Sequence, residues 1–528
     1  MLAPVTARAS AGVVVAWVTA CALACSPSQP LGRELVPPGA VAGVKRADSP
    51  YLKAHMRDGR LYVLATWSVN GGAGTVAGHG RLLDLDRRAG PEGDYQIPLA
   101  EVAIFETNRP PTSPVIAALA VTTVGSLAGT ALCLANPKAC FGSCPTFYVS
   151  DGERPVLSAE GFSDSVAPSL EATDVDALFR AHPEGRALTV RMTNEALETH
   201  VVDAVDVLAV PRPPGGRAFH AEDQDGGGFY GATALAAPAS CEAPEGPCAD
   251  SVRALDGREW SSPADGQDLG AREQLTLTFP AASAAGPRGL VIAARETLLT
   301  TYLLYQTLAY LGSGVGDALT ALERDPGKAD ALRAVYRRLG DLEVEVEQAD
   351  GRWTRAGSVF ETGPIATDVH LVRLPPVPAG APAGRPLRVR LNVTRGNWRL
   401  DWIALATLGP RVEATRLAPR TVAGVVDTAE GRRPVTVRPG QRIVTLPGDA
   451  YTFSYELPEH PERYELFLAS RGYYLEWMRE AWLREESPAR AALLMAAPGL
   501  ALRLLAPAYK QQEAGMDRLF WESRYAHP

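Results

Sequence analysis

The sequence predicts an α+β fold that is mainly β, with an antiparallel β-sandwich core and helical insertions. Two stretches, DLEVEVEQ (341–348) and LRVRLNV (387–393), alternate strictly between apolar and polar residues, which is typical of half-buried antiparallel strands. Turn residues such as Asp151-Gly152 separate other apolar runs. The apolar run ETLLTTYLLYQTLAYL (296–311) predicts an inserted helix that is buried on nearly all sides.

Composition narrows the class of protein. The chain has 528 residues, 46% apolar and 21% charged, so it is globular and long enough for about two to four domains. Its net charge is −8. Basic residues are scattered among acidic ones, without a basic stripe or interleaved aromatic residues, which argues against nucleic acid as a partner.

The first residues have the layout of an exported protein. Arg8 precedes an apolar run over 11–20, which is too short to span a bilayer and is typical of a secretory signal. Val18-Thr19-Ala20-Cys21 has the residue types that precede the lipid-modified cysteine of bacterial lipoproteins. We therefore predict a lipoprotein signal peptide at 1–20, acylation (palmitate) at Cys21 and a tether over 21–50.

Two alternatives to Cys21 stay open. Cys25 is the other candidate for lipid attachment, although Leu23 lies one place too late for the lipoprotein pattern. Ala22-Leu23-Ala24 also suits ordinary signal cleavage, which would give a secreted protein without lipid. The predicted location is the bacterial cell envelope, at the outer membrane or the periplasmic face, with the membrane as a partner through the anchor.

The region after the tether divides into two parts. Strand-like runs separated by glycine-rich turns predict a small β domain over 51–108. The segment 115–135 follows, and it has no charged residue. Its length suits a transmembrane helix, but its many alanines and threonines also suit a helix buried against the protein. A segment that inserts reversibly into a membrane is the third interpretation.

The rest of the chain is predicted to be β-rich with two helical parts. Residues 140–408 form a region rich in β-sandwich strands, with a helical insertion at about 296–339. Residues 410–528 form a C-terminal β/α region. Within it we predict a helix over 472–486, and a helical stretch over 488–507 that is interrupted near Pro498 and Pro507.

Two cysteine pairs are candidate disulfides. Outside the cytosol closely spaced cysteines usually pair, which favours Cys140–Cys144 and Cys241–Cys248. The Cys140/Cys144 spacing matches neither a zinc site nor a thioredoxin-like redox centre, so a metal or redox role is the weaker interpretation. Free thiols, or pairing with other cysteines, remain the alternative for this pair.

Three segments resemble a group of uncharacterised bacterial surface proteins of the lipoprotein type. They are CPTFYVSDGERPVLSAEGF (144–162), APSLEATDVDAL (167–178) and MTNEALETHVVDAVDVLAV (192–210). The resemblance extends loosely through 274–408. It implies a shared architecture and brings no activity, cofactor or catalytic residue to this chain.

Motifs that would reveal an enzyme or a cofactor are missing from the sequence. It has no nucleophile elbow, no zinc-protease helix motif and no phosphate-binding loop. Gly312, Gly314 and Gly316 follow a predicted helix rather than a strand, so they fit a helix connector better than a dinucleotide loop. We predict no cofactor and no catalytic residue, and the sequence favours a protein that is not an enzyme.

Three further groups of residues are weaker candidate sites. Asp223 and Asp225 precede a run of glycines and are weak calcium candidates, but the distal glutamate of a calcium loop is missing, so a solvated loop is preferred. Trp398 and Trp402 are predicted on one strand face, where they would stack on sugars if exposed or join the core if buried. A cluster near the C-terminus would meet a membrane interface or pack inward: Tyr473, Tyr474, Trp477 and Trp482.

The function predicted from these observations is a lipid-anchored cell-envelope protein. Its role would be structural or adhesive, or it would bind an envelope partner that the sequence does not identify. An envelope enzyme that acts on glycans through carboxylates is the first alternative. A carbohydrate-binding protein without catalysis is the second, and it depends on exposure of Trp398 and Trp402.

Overall fold

The structure is a computed structural model. It describes residues 32–45, 51–56, 60–83, 89–109, 144–221, 227–280, 286–324, 327, 339, 341–360, 363–376, 385–428, 431–477 and 480–522. Of the described residues, 52% lie in strands and 19% in helices, and the strands form several antiparallel sheets, which confirms the predicted mainly β class. The signal peptide (1–20), Cys21, Cys25, Cys140 and the segment 115–135 lie outside the described residues.

Strands are numbered in chain order. Before residue 110 lie β1 (Gly32–Val36), β2 (Leu52–Met56), β3 (Leu61–Asn70), β4 (Thr75–Leu83), β5 (Ala89–Pro98) and β6 (Val102–Arg109). The next group is β7 (Thr146–Ser150), β8 (Pro155–Glu160), β9 (Ala172–Ala177), β10 (Ala187–Thr193), β11 (Glu198–Pro211), β12 (Arg217–Ala221), β13 (Gly228–Ala236), β14 (Ser240–Ala243) and β15 (Gly246–Pro247).

The chain continues with strands on both sides of the helical insertion. They are β16 (Arg272–Phe279), β17 (Arg288–Glu296), β18 (Leu342–Glu347), β19 (Trp353–Val359), β20 (Asp368–Leu374), β21 (Leu387–Thr394) and β22 (Trp398–Val412). The last group is β23 (Thr415–Leu417), β24 (Thr421–Thr428), β25 (Gly431–Val437), β26 (Ile443–Thr445), β27 (Ala450–Glu456) and β28 (Tyr464–Glu476).

The N-terminal sheet has the strand order β1-β6-β2-β3-β4-β5. In β2 (LKAHM), buried and half-buried side chains alternate, and Leu52 and Ala54 join Phe105 in the core of this sheet. β1 lies within the residues predicted as a tether, where it pairs antiparallel with β6. Val41, in the turn after β1, is also buried in this core. This part of the predicted tether is therefore structured.

Four further sheets follow along the chain, and we call them outer, shared, closed and distal. The outer sheet has the order β25-β24-β27-β10-β7-β8, and the shared sheet has the order β23-β11-β28-β9 with β26 also on β11. The closed sheet, β12-β13-β22-β17-β20, closes through a short parallel pairing of β12 with β20. The distal sheet has the order β15-β14-β16-β21-β18-β19.

Alternating side chains join these sheets into a stack. Three cores separate the layers: outer on shared (Phe147, Val190, Val207, Leu468), shared on closed (Leu208, Phe467, Val291, Ala406) and closed on distal (Ile292, Leu400, Leu277, Val344). The shared sheet is buried on both faces, because neighbouring residues of β11, Val207 and Leu208, enter different cores. Such face-to-face packing is the sandwich arrangement that the alternation predicted.

The alternating stretches 341–348 and 387–393 form strands as predicted, and these strands pair with each other. β18 and β21 run antiparallel with Glu345 opposite Arg390. The Arg390 guanidinium lies 2.6 Å from the Glu345 carboxylate, and Arg388 lies 3.0 Å from Glu347. These pairs are partly or well exposed, so each contributes at most about 1 kcal/mol.

The helices gather in one cluster beside the stack. They are α1 (Leu298–Leu311), α2 (Val315–Arg324), α3 (Glu480–Arg484), α4 (Pro488–Ala496) and α5 (Pro498–Glu522). The Thr297 hydroxyl caps α1 by accepting the Leu299 N–H, and Leu303 and Leu308 are among the many side chains that α1 buries. Among the residues that the structure describes, none of the helices combines the length and hydropathy needed to cross a bilayer.

The helix predicted over 472–486 is mostly wrong. Residues up to Glu476 belong to β28, and of the described residues in this range the short α3 (Glu480–Arg484) alone is helical. β28 pairs along its whole length with β11. This pairing buries Tyr473 and Tyr474 and overrides the local helical pattern.

The interruption predicted at Pro498 is confirmed, whereas the one at Pro507 is wrong. α4 ends at Ala496, and Pro498 occupies the first turn of α5, where its missing N–H costs no helical bond. Pro507 lies inside α5. Ala506 and Tyr509 on either side of it are buried in the helical cluster, so packing holds the helix through the proline.

Candidate functional site

A turn that crosses between two sheets builds the first part of the site. β10 of the outer sheet ends at Thr193, and β11 of the shared sheet begins at Glu198. Asn194 holds the turn between them, because its side-chain amide donates to the Glu198 carbonyl at 3.0 Å and to the Thr445 hydroxyl at 3.1 Å. This turn places acidic side chains at the end of a core rather than in solvent.

Glu195 is held inside the outer sheet. It is 1% exposed, and its Oε1 accepts hydrogen bonds from Tyr148 Oη and Thr193 Oγ1, each at 2.7 Å. Both donors lie on neighbouring strands, β7 and β10. These hydrogen bonds offset part of the cost of removing a carboxylate from water and fix its position.

Glu198 and His200 form a buried pair on β11. Glu198 Oε2 lies 2.9 Å from His200 Nε2, and neither side chain is more than 1% exposed. Residues two apart on a strand share a face, so this pair continues the side of β11 that carries Val202 into the core between outer and shared sheets. The Tyr474 ring meets the His200 ring edge to face at 6.4 Å.

A small pocket of about 40 Å³ lies between the Glu198 end of β11 and the helical cluster. Four acidic residues line it, Glu160, Asp164, Glu198 and Glu476, and its lining contains no lysine or arginine. Helix α1 contributes the opposite wall, and the lining also includes Cys144, Ser163, Val166, Thr300, Thr301, Leu304, Tyr305, Pro364 and Tyr474.

The acids come together from separate strands. Glu198 on β11 is directly opposite Glu476 on β28. Like charges in that relation repel each other. Glu160 ends β8 and is 3% exposed; its Oε2 accepts the N–H groups of Ile365 at 2.9 Å and Ala366 at 3.4 Å. The fold therefore brings together several carboxyl groups, an arrangement that does not favour its own stability.

The backbone beside the pocket is strained. Phe162, next to the pocket residue Ser163, has φ = 38°, in the left-handed region that a bulky side chain rarely adopts. Its N–H donates to Asp174 Oδ2 at 2.9 Å, and its ring is fully buried. Backbone strain of this kind concentrates at functional sites, where the surrounding structure maintains it.

The Cys144 thiol lines the pocket but is unsuited to nucleophilic chemistry. Its burial first, and then the nearby carboxylates of Glu160 and Glu198, raise the pKa of the Cys144 thiol well above its ordinary value. The thiolate is the reactive form of cysteine. The pocket therefore presents a neutral thiol and carboxyl groups.

The disulfide predicted between Cys140 and Cys144 involves Cys140, which lies outside the described residues. Cys144 is a free, buried cysteine whose thiol points inward and lies 3.9 Å from the Ser163 carbonyl oxygen. The other predicted disulfide, Cys241–Cys248, is present. Both of its cysteines are buried in the core between closed and distal sheets.

Trp398 and Trp402 do not share a face as predicted. The register between β17 and β22 shifts between Leu400 and Trp402, so Asp401 is an extra residue that reverses the alternation. Trp398 therefore enters the core between closed and distal sheets, at 1% exposure, while Trp402 packs on the opposite side of β22. The alternative in which both tryptophans are exposed and stack on sugars is therefore wrong.

Of the C-terminal aromatic cluster, Tyr474 alone lines this pocket. Tyr473, Tyr474 and Trp482 are buried, and the Trp477 indole N–H donates to Thr199 Oγ1 at 2.8 Å, so this cluster packs inward. The weak calcium candidates, Asp223 and Asp225, lie outside the described residues. In the part of the chain that the structure describes, no group of three or more side chains has the arrangement of a metal site.

Sequence reasoning named Cys144 and Tyr474 for other roles and missed the acidic residues that line the pocket. The available signal was the two-residue spacing of Glu198 and His200. It places both polar side chains on the buried face of a largely apolar strand. Glu160 gave no comparable signal, because it meets them only through tertiary contacts. No protein-family model matches the chain, and no curated protein is significantly similar to it.

Proposed function

We propose that this chain is a lipid-anchored cell-envelope protein whose layered β body has a structural or adhesive role or binds an envelope partner. The observation that carries the proposal is the Cys241–Cys248 disulfide. Disulfides persist outside the reducing cytosol, and this pair is far from the N-terminal residues that predict export. The resemblance to bacterial surface proteins supports the same compartment.

We expect Cys21→Ala to abolish lipid attachment. In cells fed labelled palmitate the natural chain incorporates the label and partitions into the detergent phase. The variant loses the label and moves to the aqueous phase, because the acyl chains no longer provide apolar area for membrane binding. Cys25→Ala is the matched control and retains the label. Loss of label only in the Cys25 variant would show that Cys25 is the attachment site. A natural chain without label would contradict the lipid anchor.

The second candidate function is an envelope enzyme that acts on glycans. The observation that favours it is the convergence of Glu160, Glu198 and Glu476 in one pocket beside Tyr474. Glycoside hydrolysis needs two carboxyl groups: one gives a proton to the departing sugar oxygen, and the other attacks the sugar or activates water. A carboxyl surrounded by other acids is suited to keep the proton that the first role requires.

Release of reducing ends from purified envelope glycans tests this candidate. If it is correct, Glu198→Gln lowers the rate roughly 100-fold or more, because an amide neither donates that proton nor acts as a base. Glu153→Gln, on the exposed turn between β7 and β8, is the control and leaves the rate unchanged. The absence of reducing-end release by the natural chain, or an unchanged rate in Glu198→Gln, would leave the non-catalytic role alone.

A further inference from the structure

An apolar surface at the junction of α4 and α5 is left uncovered. In the part of the chain that the structure describes, the exposed large apolar side chains are Tyr51, Leu235, Val425, Met495, Leu500 and Leu504. The last three lie within one short stretch, at exposures of 48%, 50% and 63%. The small residues Ala496 and Gly499 between them are also exposed. An exposed apolar cluster of this kind marks a binding surface.

The opposite side of the same helix is fully engaged. On α5, Leu502, Leu505 and Ala506 pack into the helical cluster together with residues of α1 and α4. Leu500 and Leu504 are one turn apart and point away from that cluster. The start of α5 is therefore apolar on two sides, and its inner side already holds it rigidly in place.

Basic side chains lie beside this surface, although Lys510 is paired with Glu513 and Arg503 with Asp268. Residues 487–512 contain Arg490, Arg503 and Lys510 and no aspartate or glutamate, although the whole chain has a net charge of −8. Arg503 is 67% exposed beside Leu504, and one of its nitrogens lies 3.0 Å from Asp268. Arg490 is exposed and lies over the Tyr310 ring. Apolar side chains rimmed by basic ones match a lipid surface with anionic headgroups.

We propose that the α4–α5 surface, formed by Met495, Leu500, Arg503 and Leu504, docks onto an anionic lipid membrane. The leucines enter the boundary between headgroups and acyl chains, and the basic residues contact lipid phosphates. This contact is separate from acylation at Cys21 and would set how the β body is oriented on the membrane. Its test uses a chain that cannot be acylated, so that the two proposals fail independently.

The test is flotation of the full chain carrying Cys21→Ala and Cys25→Ala with lipid vesicles. The protein is expected to float with vesicles of equal phosphatidylglycerol and phosphatidylcholine, and to bind pure phosphatidylcholine roughly tenfold more weakly. Adding Leu500→Ser and Leu504→Ser is expected to lower binding to the anionic vesicles roughly tenfold or more, because the inserted apolar area is lost. Both leucines are half exposed or more, so the circular dichroism spectrum and melting temperature should be preserved.

Leu235→Ser is the matched control, because Leu235 is an exposed leucine on β13, at 37%. It is expected to leave vesicle binding unchanged. Equal binding to neutral and anionic vesicles, or equal loss in the control, would overturn the proposal. So would a chain that does not float but forms a dimer that the two serine substitutions dissociate, since the surface would then bind a second copy.

Discussion

Glu296→Gln is expected to stabilise the protein at alkaline pH and to have little effect near pH 4.5. Glu296 ends β17 and is 1% exposed. The pKa of the Glu296 carboxyl is raised from 4.5 to about 8, and burial is the largest cause of this shift. Asn397 Nδ2 donates to its Oε1 at 2.8 Å, which lowers the pKa but does not offset burial, and the charges of Asp341 and Glu160 raise it further.

The sign of the effect follows from proton linkage. Between about pH 4.5 and pH 8 the folded protein keeps a proton on Glu296 that the unfolded chain releases, so the free energy of unfolding falls as pH rises. Above about pH 8 both states are ionised, and the loss is complete. Its upper bound is about 5 kcal/mol. Glutamine has the same shape, keeps an acceptor for Asn397 and stays neutral, so the variant does not undergo this loss.

Chemical unfolding of both proteins at pH 5 and pH 8.5 measures the effect. The variant's advantage should be several kcal/mol larger at the higher pH, within the bound above. Glu153→Gln, at an exposed position, is the control and should show no such change with pH. An advantage of the same size at both pH values would show that Glu296 is ionised in the folded protein.

Trp398→Ala is expected to destabilise the protein by about 3–5 kcal/mol. Trp398 belongs to the largest fully buried side chains and contacts the core between the closed and distal sheets. Its removal leaves a cavity between two sheets. The strands of these sheets are fixed by their neighbours, so the surrounding side chains can fill little of the cavity. Thermal or chemical unfolding monitored by circular dichroism measures the loss.

Trp353→Ala provides the comparison for this substitution. Trp353 lies on β19 with a half-buried side chain, and the Arg390 guanidinium is 4.5 Å from its ring centre. Truncation there removes the cation–π contacts with Arg388 and Arg390 and some covered area, for a loss of about 1–2 kcal/mol. Equal losses in the two variants would contradict the placement of Trp398 in the core.

The elements that sequence predicted well are those with short-range causes. Alternation in 341–348 and 387–393 identified β18 and β21 as half-buried strands. The Asp151-Gly152 turn joins β7 to β8 as expected, with Gly152 at φ = 98° and Asp151 Oδ1 accepting the Arg154 N–H. These features depend on neighbours in the chain, so their residue patterns are visible without the fold.

The features that sequence missed have long-range causes. The helix predicted over 472–486 is displaced by a partner strand, β11, that lies far away in the chain. The bulge at Asp401, which separates Trp398 from Trp402, is stabilised by the N–H groups of Asp256 and Gly257 on another segment. The acidic pocket likewise needs several strands and α1 before it exists.

The outer and shared sheets have a consequence for how the chain acquires its structure. β10 and β11 pair with β27 and β28, so the hydroxyl of Tyr455 reaches the carbonyl of Val205, 250 residues earlier. When the first of these strands emerge during synthesis or export, their partners have not yet been made. Pairing of strands that lie far apart in the chain is slow, and unpaired apolar strands can aggregate before their partners arrive. Folding of this part must therefore wait for the arrival of the C-terminal strands, and a holding chaperone would be valuable throughout that interval.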